Sequence, residues 1–172
     1  MRSIVRLSAD DFSHALPDLA DLLVDTVSSG ASLGFLTPFD HDTALTWWRE
    51  RKPAVAQGTL TVWIATGPTG VQGTVSLARP DKANATHRAE IVKLMVHPQA
   101  RGQGVGRALL TTAEQAAKDT GVTLLLLDTE TGSPAEGLYT SAGWTRFGVV
   151  PRYASDPTGT LRDGSFYYKQ LT

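Results

Sequence analysis

The chain has 172 residues, of which 41% are hydrophobic and 19% charged, and its net charge is -1 at pH 7. This length and composition predict one globular domain spanning residues 1–172. The near-zero net charge gives no overall basic field, so no nucleic-acid partner is expected. Because no apolar stretch is long enough for a membrane span and no signal-peptide core follows Met1, we expect a cytoplasmic protein without a membrane partner.

Two residue types limit the chemistry. The chain has no cysteine, which excludes disulfides, thiolate metal sites and a covalent acyl-cysteine intermediate. Its four histidines show none of the spacings typical of metal ligands, so no metal site is predicted.

The N-terminal half predicts strands and helices in the order β-α-α-β-β: strand 3–7, helix 10–26, helix 42–57, strand 59–66 and strand 71–78. Pro17 is expected to interrupt or kink the first helix. The segment 28–36 mixes glycine and serine with apolar side chains, and it either packs locally or lines a binding site.

The C-terminal half continues the alternation: strand 88–96, helix 104–120, strand 122–127, helix 134–142, strand 144–153 and strand 165–170. Helix 104–120 carries apolar residues at helical spacing, and Gly121 is a typical helix stop. Strand 122–127 is a continuous apolar run, as expected of a strand covered on both faces.

The most informative segment is the glycine turn, residues 101–107, between strand 88–96 and the helix that follows. Three glycines stand at alternate positions between Arg101 and Arg107. Glycine lets the backbone come close to a ligand, and a helix N-terminus offers free N–H groups and the positive end of the helix dipole. The turn therefore predicts a site for a phosphate or pyrophosphate.

Three phosphate-binding patterns compete for this turn. A P-loop needs a lysine that the turn lacks. A dinucleotide site is imitated by the glycines and by Asp128, ~20 residues further on, but Arg107 stands where the third glycine belongs and successive βαβ units are missing. The third pattern, Arg101-x-x-Gly104-x-Gly106, has the form of the R/Q-x-x-G-x-G/A signature for acyl-coenzyme A.

Through this signature the chain resembles the GNAT family of N-acetyltransferases. The resemblance covers nearly the whole chain. It is most specific over 88–144, where an acid-bearing strand, the glycine turn, a second apolar strand and Leu138-Tyr139-x-x-x-Gly143-Trp144 follow in the family's order. It implies an α/β (α+β) fold with a mixed, mostly antiparallel sheet, splayed between its fourth and fifth strands and flanked by about four helices. Gly132 departs from the pattern, because many members have an asparagine there that contacts the pantetheine arm.

The resemblance implies acetyl-CoA as the acyl donor. The cofactor-binding residues that it implies are Leu94, Met95, Val96, Arg101, Gly102, Gln103, Gly104, Val105, Gly106, Arg107, Ser133 and Tyr139. The pantetheine would lie between the two splayed strands and pair with free backbone groups. The N–H of Met95 would stabilise the oxyanion, and Arg101 and Arg107 would help to hold the pyrophosphate.

The same resemblance implies the catalytic residues Glu90, Asp128 and Tyr139. Tyr139 would be the general acid for the departing thiolate, and either carboxylate would accept the proton of the amine or orient it. Substrate contacts are expected from Phe35, Glu90, Asp128, Thr129 and Glu130. Trp47 and Trp48 either wall the acceptor pocket or belong to the core.

Three functions stay open. The leading one is acetylation of a primary amine on a small polar molecule, zwitterionic or cationic, by a monomer or homodimer. Gly30–Phe35, Lys93–Val96 and Leu127–Ser133 resemble the tabtoxin-resistance branch of the family, which favours an antibiotic or toxin as acceptor. The alternatives are a non-catalytic acyl-CoA-binding regulator and a protein or peptide N-acetyltransferase. The last needs an open groove, so a packed loop around residues 35–39 would argue against it.

Overall fold

In the computed structural model, which describes residues 1–172, seven strands form one sheet and five α-helices pack on its faces. In chain order the elements are β1 (Ser3–Arg6), α1 (Ala9–Ser28), α2 (His41–Arg49), α3 (Lys52–Gln57), β2 (Leu60–Gly67), β3 (Gly70–Ala78), β4 (Arg88–Val96), α4 (Val105–Asp119), β5 (Leu124–Glu130), α5 (Pro134–Ser141), β6 (Thr145–Ser155) and β7 (Leu161–Gln170). Across the sheet the order is β1-β2-β3-β4-β5-β7-β6. All neighbours are antiparallel except β4 and β5.

The parallel pair β4 and β5 separates soon after it begins. The two strands pair only from Arg88 opposite Leu124 to Glu90 opposite Leu126. Further along, β4 stays with β3 and β5 stays with β7, so the two edges that face each other lack a partner. This confirms the predicted mixed, mostly antiparallel sheet that is splayed between its fourth and fifth strands.

The helix predicted over 42–57 is two helices, so the sheet carries five α-helices where about four were expected. α2 ends at Arg49, and α3 begins at Lys52 with Pro53 in its first turn. Proline has no N–H to continue the hydrogen-bond ladder of a preceding helix, but its fixed φ suits the first turn of a new one. The break therefore lies just before Pro53.

By contrast, α1 runs through Pro17 without interruption. The helix is capped by Ser8, whose hydroxyl accepts from the N–H of Asp11, and the Asp11 carboxylate accepts from the N–H of Ser8 in return. Packing of its long apolar face supplies the stability that one lost backbone hydrogen bond removes. Neither α1 nor any shorter helix combines the length and hydropathy that a membrane crossing requires.

On one face of the sheet, α4 packs against β2, β3 and β4 and contributes to the larger core. Gly73 on β3 permits the close approach. A Cβ at this position would lie 2.8 Å from the carbonyl oxygen of Met95 and 2.9 Å from Cδ1 of Leu109. The start of α4, and with it the glycine turn, is thereby held against the end of β4.

On the opposite face, α1 and α2 enclose the second core. Trp48 is fully buried there beside Phe12, and its indole N–H donates to the carbonyl of Leu19 at 3.1 Å. Trp48 is therefore a core residue. Trp47, its neighbour on α2, is only half-buried.

Candidate active site

A cleft of about 1010 Å³ opens where β4 and β5 separate. It extends from the glycine turn, along the two strands, to the α1–α2 loop (residues 29–40) and to β6 and β7. The predicted site residues that line it are Glu90, Leu94, Met95, Val96, Arg101, Gly102, Gly104, Val105, Gly106, Arg107, Asp128, Thr129, Glu130, Ser133 and Tyr139. Two others, Phe35 and Gln103, do not line it.

The glycine turn presents a row of unused backbone donors. The N–H groups from Arg101 to Arg107 donate to no carbonyl oxygen. Gly102 and Gly104 have φ of +75° and +79°, which favour glycine, and nothing lies within 4 Å of the position that a Cβ would take. Because α4 begins at Val105, its positive end faces the same space. These residues fit a pyrophosphate.

Two arginines flank the turn, and each is tied to another element. In Arg101, Nε donates to the carbonyl of Val96 at 3.3 Å and Nη2 donates to the Ser29 hydroxyl at 2.9 Å. Arg107 donates to the hydroxyl of Ser141. A guanidinium has five N–H donors, so each arginine keeps donors for phosphate oxygens.

Gln103 turns away from the cleft. Its side-chain amide donates to the carbonyl of Gln99 at 3.1 Å, and its Oε1 accepts from Arg2 at 3.1 Å. A second nitrogen of Arg2 donates to the Gln103 carbonyl at 2.9 Å. The side chain is thus engaged elsewhere, and only the backbone N–H of Gln103 remains for a ligand.

The hydrogen-bond alternation along β4 decides which backbone groups face the gap. The N–H of His97 donates to a β3 carbonyl at 2.8 Å, and Met95, two residues earlier, is paired with β3. In an antiparallel pair the hydrogen-bonding residues recur at every second position. The N–H of Met95 therefore points toward β3, while the backbone groups of Leu94 and Val96 face the gap. This corrects the expectation that Met95 supplies the oxyanion donor.

Glu90 and Asp128 lie on the same face of the sheet at the base of the gap. Glu90 stands opposite Leu126, and Asp128 is two residues further along β5, so their side chains point the same way. Both residues line the cleft and keep part of their surface accessible to solvent. Partial burial and, second, the Asp128 carboxylate raise the pKa of Glu90, while partial burial raises the pKa of Asp128. Both acids therefore hold their protons to a higher pH than free carboxyls do.

Tyr139 brings a protonated hydroxyl to the same cleft. Its ring packs against Trp144 and Tyr167, with centroid distances of 6.1 and 5.7 Å. Burial, followed by the nearby Asp128 and Tyr167, raises the pKa of Tyr139 well above its usual range. The residue lines the cleft, and its hydroxyl is used by no other protein group. It is available to donate a proton.

The end of β5 and the turn that follows it contribute hydroxyls. The side chains of Thr129 and Ser133 lie 3.3 Å apart, oxygen to oxygen, beside the cleft. One carboxylate oxygen of Glu130 is buried without a hydrogen-bond partner. Gly132 adopts φ of +82°, and its N–H donates to Glu136 at 2.7 Å. A turn that contains Gly132, with the hydroxyls of Thr129 and Ser133 beside it, thus stands where many members of the family have an asparagine.

Lys93 also lines the cleft, although the sequence analysis assigned it no role. It sits at a bulge in β4, where φ is +52° and the register with β3 shifts. Simple alternation would point Lys93 to the α4 face together with Ile91. Instead its ammonium lies 5.3 Å from the ring centroid of Trp47 and 5.8 Å from that of Phe35. The detectable signal was a charged residue inside the apolar run 91–96.

Phe35 is placed behind Lys93. Its ring lies 4.6 Å from that of Phe39 and 5.4 Å from that of Trp47, centroid to centroid. It reaches the site through Lys93 and through this aromatic cluster, and it contributes no surface to the cleft.

The α1–α2 loop is fastened to the turn between β6 and β7. Both the N–H and the hydroxyl of Thr37 donate to the carbonyl of Pro157 at 2.9 Å. The Ser32 hydroxyl donates to the carbonyl of Ser155 at 3.4 Å. The loop also lines the cleft from residue 29, which contacts Arg101 of the glycine turn, to residue 34, so it forms one wall of the cleft.

Residues 20–144 match the model of the acetyltransferase (GNAT) family. The chain belongs to the GNAT acetyltransferase family. The family's description as acetyltransferases agrees with the class predicted from the sequence. The matched range contains the two splayed strands, the glycine turn and Tyr139.

Individual relatives agree with this membership. Human N-acetyltransferase 8B is 36% identical over 88 residues, which are 50% of this chain and only 39% of that protein. Among solved structures, the ribosomal-protein-alanine N-acetyltransferase from Brucella melitensis is similar with a TM-score of 0.77 and 24% identity, covering 98% of this chain and 99% of that one. The yncA protein from Salmonella typhimurium, solved with its cofactor acetyl-CoA, gives 0.78 and 22%, covering 99% and 94%. At these identities the two structures establish the fold.

Proposed function

We propose that this GNAT protein acetylates a primary amine of a small polar molecule, zwitterionic or cationic, by direct attack within a ternary complex. The observation that carries the proposal is the convergence of Glu90, Asp128 and Tyr139 on one cleft, at the gap between β4 and β5. A site that only bound acyl-CoA would need neither the acids nor the free hydroxyl. This argues against the non-catalytic regulator.

In the proposed complex, the N–H groups of the glycine turn, with Arg101 and Arg107, hold the pyrophosphate. The free backbone edge of Leu94 and Val96 holds the pantetheine, with the Ser133 hydroxyl on the other side. When bound, acetyl-CoA supplies the thioester carbonyl that the amine attacks and the thiolate that leaves. A β4 backbone N–H, from Leu94 or Val96, stabilises the oxyanion.

The protein's own proton transfers follow from the two acids and the tyrosine. Glu90 or Asp128 accepts the proton that the amine loses, directly or through water, or orients the amine. The raised pKa of each acid brings it nearer to the range in which a carboxylate is an effective base. Tyr139 donates its proton to the departing thiolate. In this step the N–C bond forms and the C–S bond breaks. The acid has gained one proton and Tyr139 has lost one, so the net charge of the protein is unchanged.

The packing of the α1–α2 loop supports a small molecule, and not a peptide, as the acceptor. A peptide groove would require this loop to be displaced. The loop is instead packed through Phe35 and Phe39 and held by the hydrogen bond from Thr37 to Pro157. The resemblance to the tabtoxin-resistance branch supports an antibiotic or toxin as the natural acceptor, hence resistance or self-protection, in the cytoplasm. Ordinary amino-acid or polyamine metabolism is the alternative role.

A thiol-release assay with acetyl-CoA tests the proposal. The acceptors are amine antibiotics, free amino acids, polyamines and a peptide with a free N-terminus. We expect release with at least one small amine and none above background with the peptide. Acetyl-CoA binding without release from any amine would identify a binding module, and release with the peptide alone would identify a peptide acetyltransferase.

A further inference from the structure

Lys93 stands out among the cations that line the cleft, because Arg101, Arg107 and Arg162 each donate a hydrogen bond to another group of the protein and Lys93 donates none. The ammonium is half-buried, and it has neither a salt bridge nor a hydrogen bond within the protein. Its neighbours are the faces of Trp47 and Phe35 at 5.3 and 5.8 Å. Glu90 and Asp128 act on this ammonium through their charges but do not contact it. A partly buried cation without a direct anionic contact is stabilised by a ligand that supplies one.

The backbone is bent to put Lys93 there. A left-handed φ of +52° is uncommon for a residue with a side chain, and such residues cluster at ligand sites. The bulge turns Lys93 away from the α4 core and onto the face that carries Glu90 and Asp128. The left-handed backbone conformation thus places the Lys93 side chain on the face of the sheet that carries the two acids.

The charges around the acceptor end are arranged in two groups. Glu90 and Asp128 stand at the base of the gap, where an amine would meet the thioester. The second group is the Lys93 ammonium, further along β4 beside the rings of Trp47 and Phe35. Arg51 lies behind it, 3.6 Å from the centroid of the Trp47 ring; it is paired with Glu50 and does not line the cleft. Burial and the Arg51 charge lower the pKa of Lys93, while the two acids oppose this shift. A molecule that satisfies both groups carries an amine and an anion.

We infer that Lys93 is a specificity-determining residue that binds a carboxylate on the acceptor, so that the substrates are amines of the amino-acid type. This inference rests on the proposed function and selects among its acceptors. It excludes polyamines, because a second ammonium in place of the carboxylate would face the Lys93 ammonium.

The test uses three acceptors that share one side chain: L-methionine, L-methioninamide and 3-(methylthio)propylamine, with L-lysine, L-lysinamide and cadaverine as a second set. The amide has a less basic amine than the amino acid, and the decarboxylated compound has a more basic one. Amine basicity alone therefore cannot place the amino acid first. Initial rates of thiol release from acetyl-CoA give kcat/KM for each acceptor.

We expect the amino acid to be the best acceptor of each set. Lys93→Met should lower the ratio of kcat/KM for the amino acid to kcat/KM for the amide by roughly tenfold to a hundredfold, since it removes a hydrogen bond to a charged group. The ratio is the readout because the Lys93 charge also lowers the pKa of Glu90 and Asp128, so its loss changes the rates with all three acceptors. Lys93→Arg should keep most of the preference. Lys82→Met, at an exposed lysine outside the cleft, is the matched control.

Equal rates for the three acceptors of a set, or a preference that survives Lys93→Met, would overturn the role of Lys93 while leaving acetylation intact. If no amine supports thiol release, the proposed function fails and the inference fails with it. If Lys93→Met does not fold, the ranking of acceptors by the unmodified protein and by Lys93→Arg decides the question.

Discussion

At one end of the cleft, the seven consecutive residues of the glycine turn, 101–107, offer backbone N–H groups that donate to no carbonyl oxygen of the protein. The other end of the cleft is lined by side chains from separate elements: Glu90 and Lys93 of β4, Asp128 of β5, and the α1–α2 loop. We call these the cofactor end and the acceptor end. The first is one continuous stretch of chain, and the second is assembled from separate elements.

This difference has a physical consequence. Backbone donors are present whatever the side chains are, so the cofactor end depends on conformation and changes little when a side chain is exchanged. The acceptor end depends on individual charges and on how packing aims them. Substitutions at the two ends should therefore separate acetyl-CoA binding from acceptor use, and Tyr139, which lies between them, should affect turnover alone.

The largest effect is expected for Tyr139→Phe. Loss of a general acid lowers kcat by about a hundredfold or more, with the affinity for acetyl-CoA unchanged, because the phenyl ring still packs against Trp144 and Tyr167. Steady-state kinetics and calorimetric titration with acetyl-CoA measure the two quantities. The control is Tyr167→Phe, which loses only a hydrogen bond to Glu136. An unchanged kcat in Tyr139→Phe would remove the tyrosine from the mechanism.

Asp128→Asn and Glu90→Gln should identify the base at the acceptor end. The raised pKa of each acid makes the rate climb as pH increases through that pKa, and the variant of the base loses about tenfold to a hundredfold in kcat and flattens this climb. The other variant changes KM for the amine and keeps the pH profile. Equal, pH-independent losses in both variants would indicate orientation and water-relayed deprotonation instead.

The same raised pKa values make a prediction for stability. An acid whose pKa is higher in the folded protein favours folding below its unfolded pKa, and this contribution is lost as pH rises through the folded value. Asp128→Asn should therefore gain in melting temperature relative to the unmodified protein as pH rises from acid to neutral. Thermal melts at several pH values check the sign. A melting temperature that falls relative to the unmodified protein over this range would contradict the burial of the Asp128 charge.

Gly104→Ala tests the cofactor end. A Cβ has room there, but the left-handed backbone costs about 1 kcal/mol or somewhat more, so the turn should relax and acetyl-CoA should bind roughly tenfold more weakly. Gly58→Ala, at φ of +78° at the end of α3, carries a similar strain far from the cleft. Both variants should lose similar stability in denaturant melts, and only Gly104→Ala should lose affinity. Equal affinity in the two would mean that the turn does not hold the pyrophosphate.

The smallest effect is expected for Thr37→Val, which removes one of two hydrogen bonds that fasten the α1–α2 loop to Pro157. A hydrogen bond of about 1 kcal/mol corresponds to a rise of roughly fivefold in KM for the amine, with KM for acetyl-CoA unaffected. Thr59→Val, whose hydroxyl donates to Ala54 outside the cleft, is the control. A matching rise in KM for acetyl-CoA would show that the loop acts on both ends.

The cofactor end could be predicted from the sequence more completely than the acceptor end. The glycine turn and the strands beside it were predictable, because glycine spacing and apolar runs encode local backbone geometry. Gln103 was predicted to bind the cofactor, and its side chain turns outward to Arg2, which is distant in sequence, so that only its backbone N–H remains for this role. Lys93 received no role, because a bulge reverses the alternation that a pattern assumes. The break before Pro53 and the continuity through Pro17 likewise depend on what each helix packs against.

Arg101 gives the molecule a property that neither end has alone. Its guanidinium holds the carbonyl of Val96 with one nitrogen and the hydroxyl of Ser29, at the start of the α1–α2 loop, with another. The Arg101 side chain therefore takes part both in the binding of acetyl-CoA and in the binding of the acceptor. Any rearrangement of it contributes to the coupling free energy between these two ligands. By reciprocity, whatever factor acetyl-CoA imposes on the affinity for the acceptor, the acceptor imposes on the affinity for acetyl-CoA.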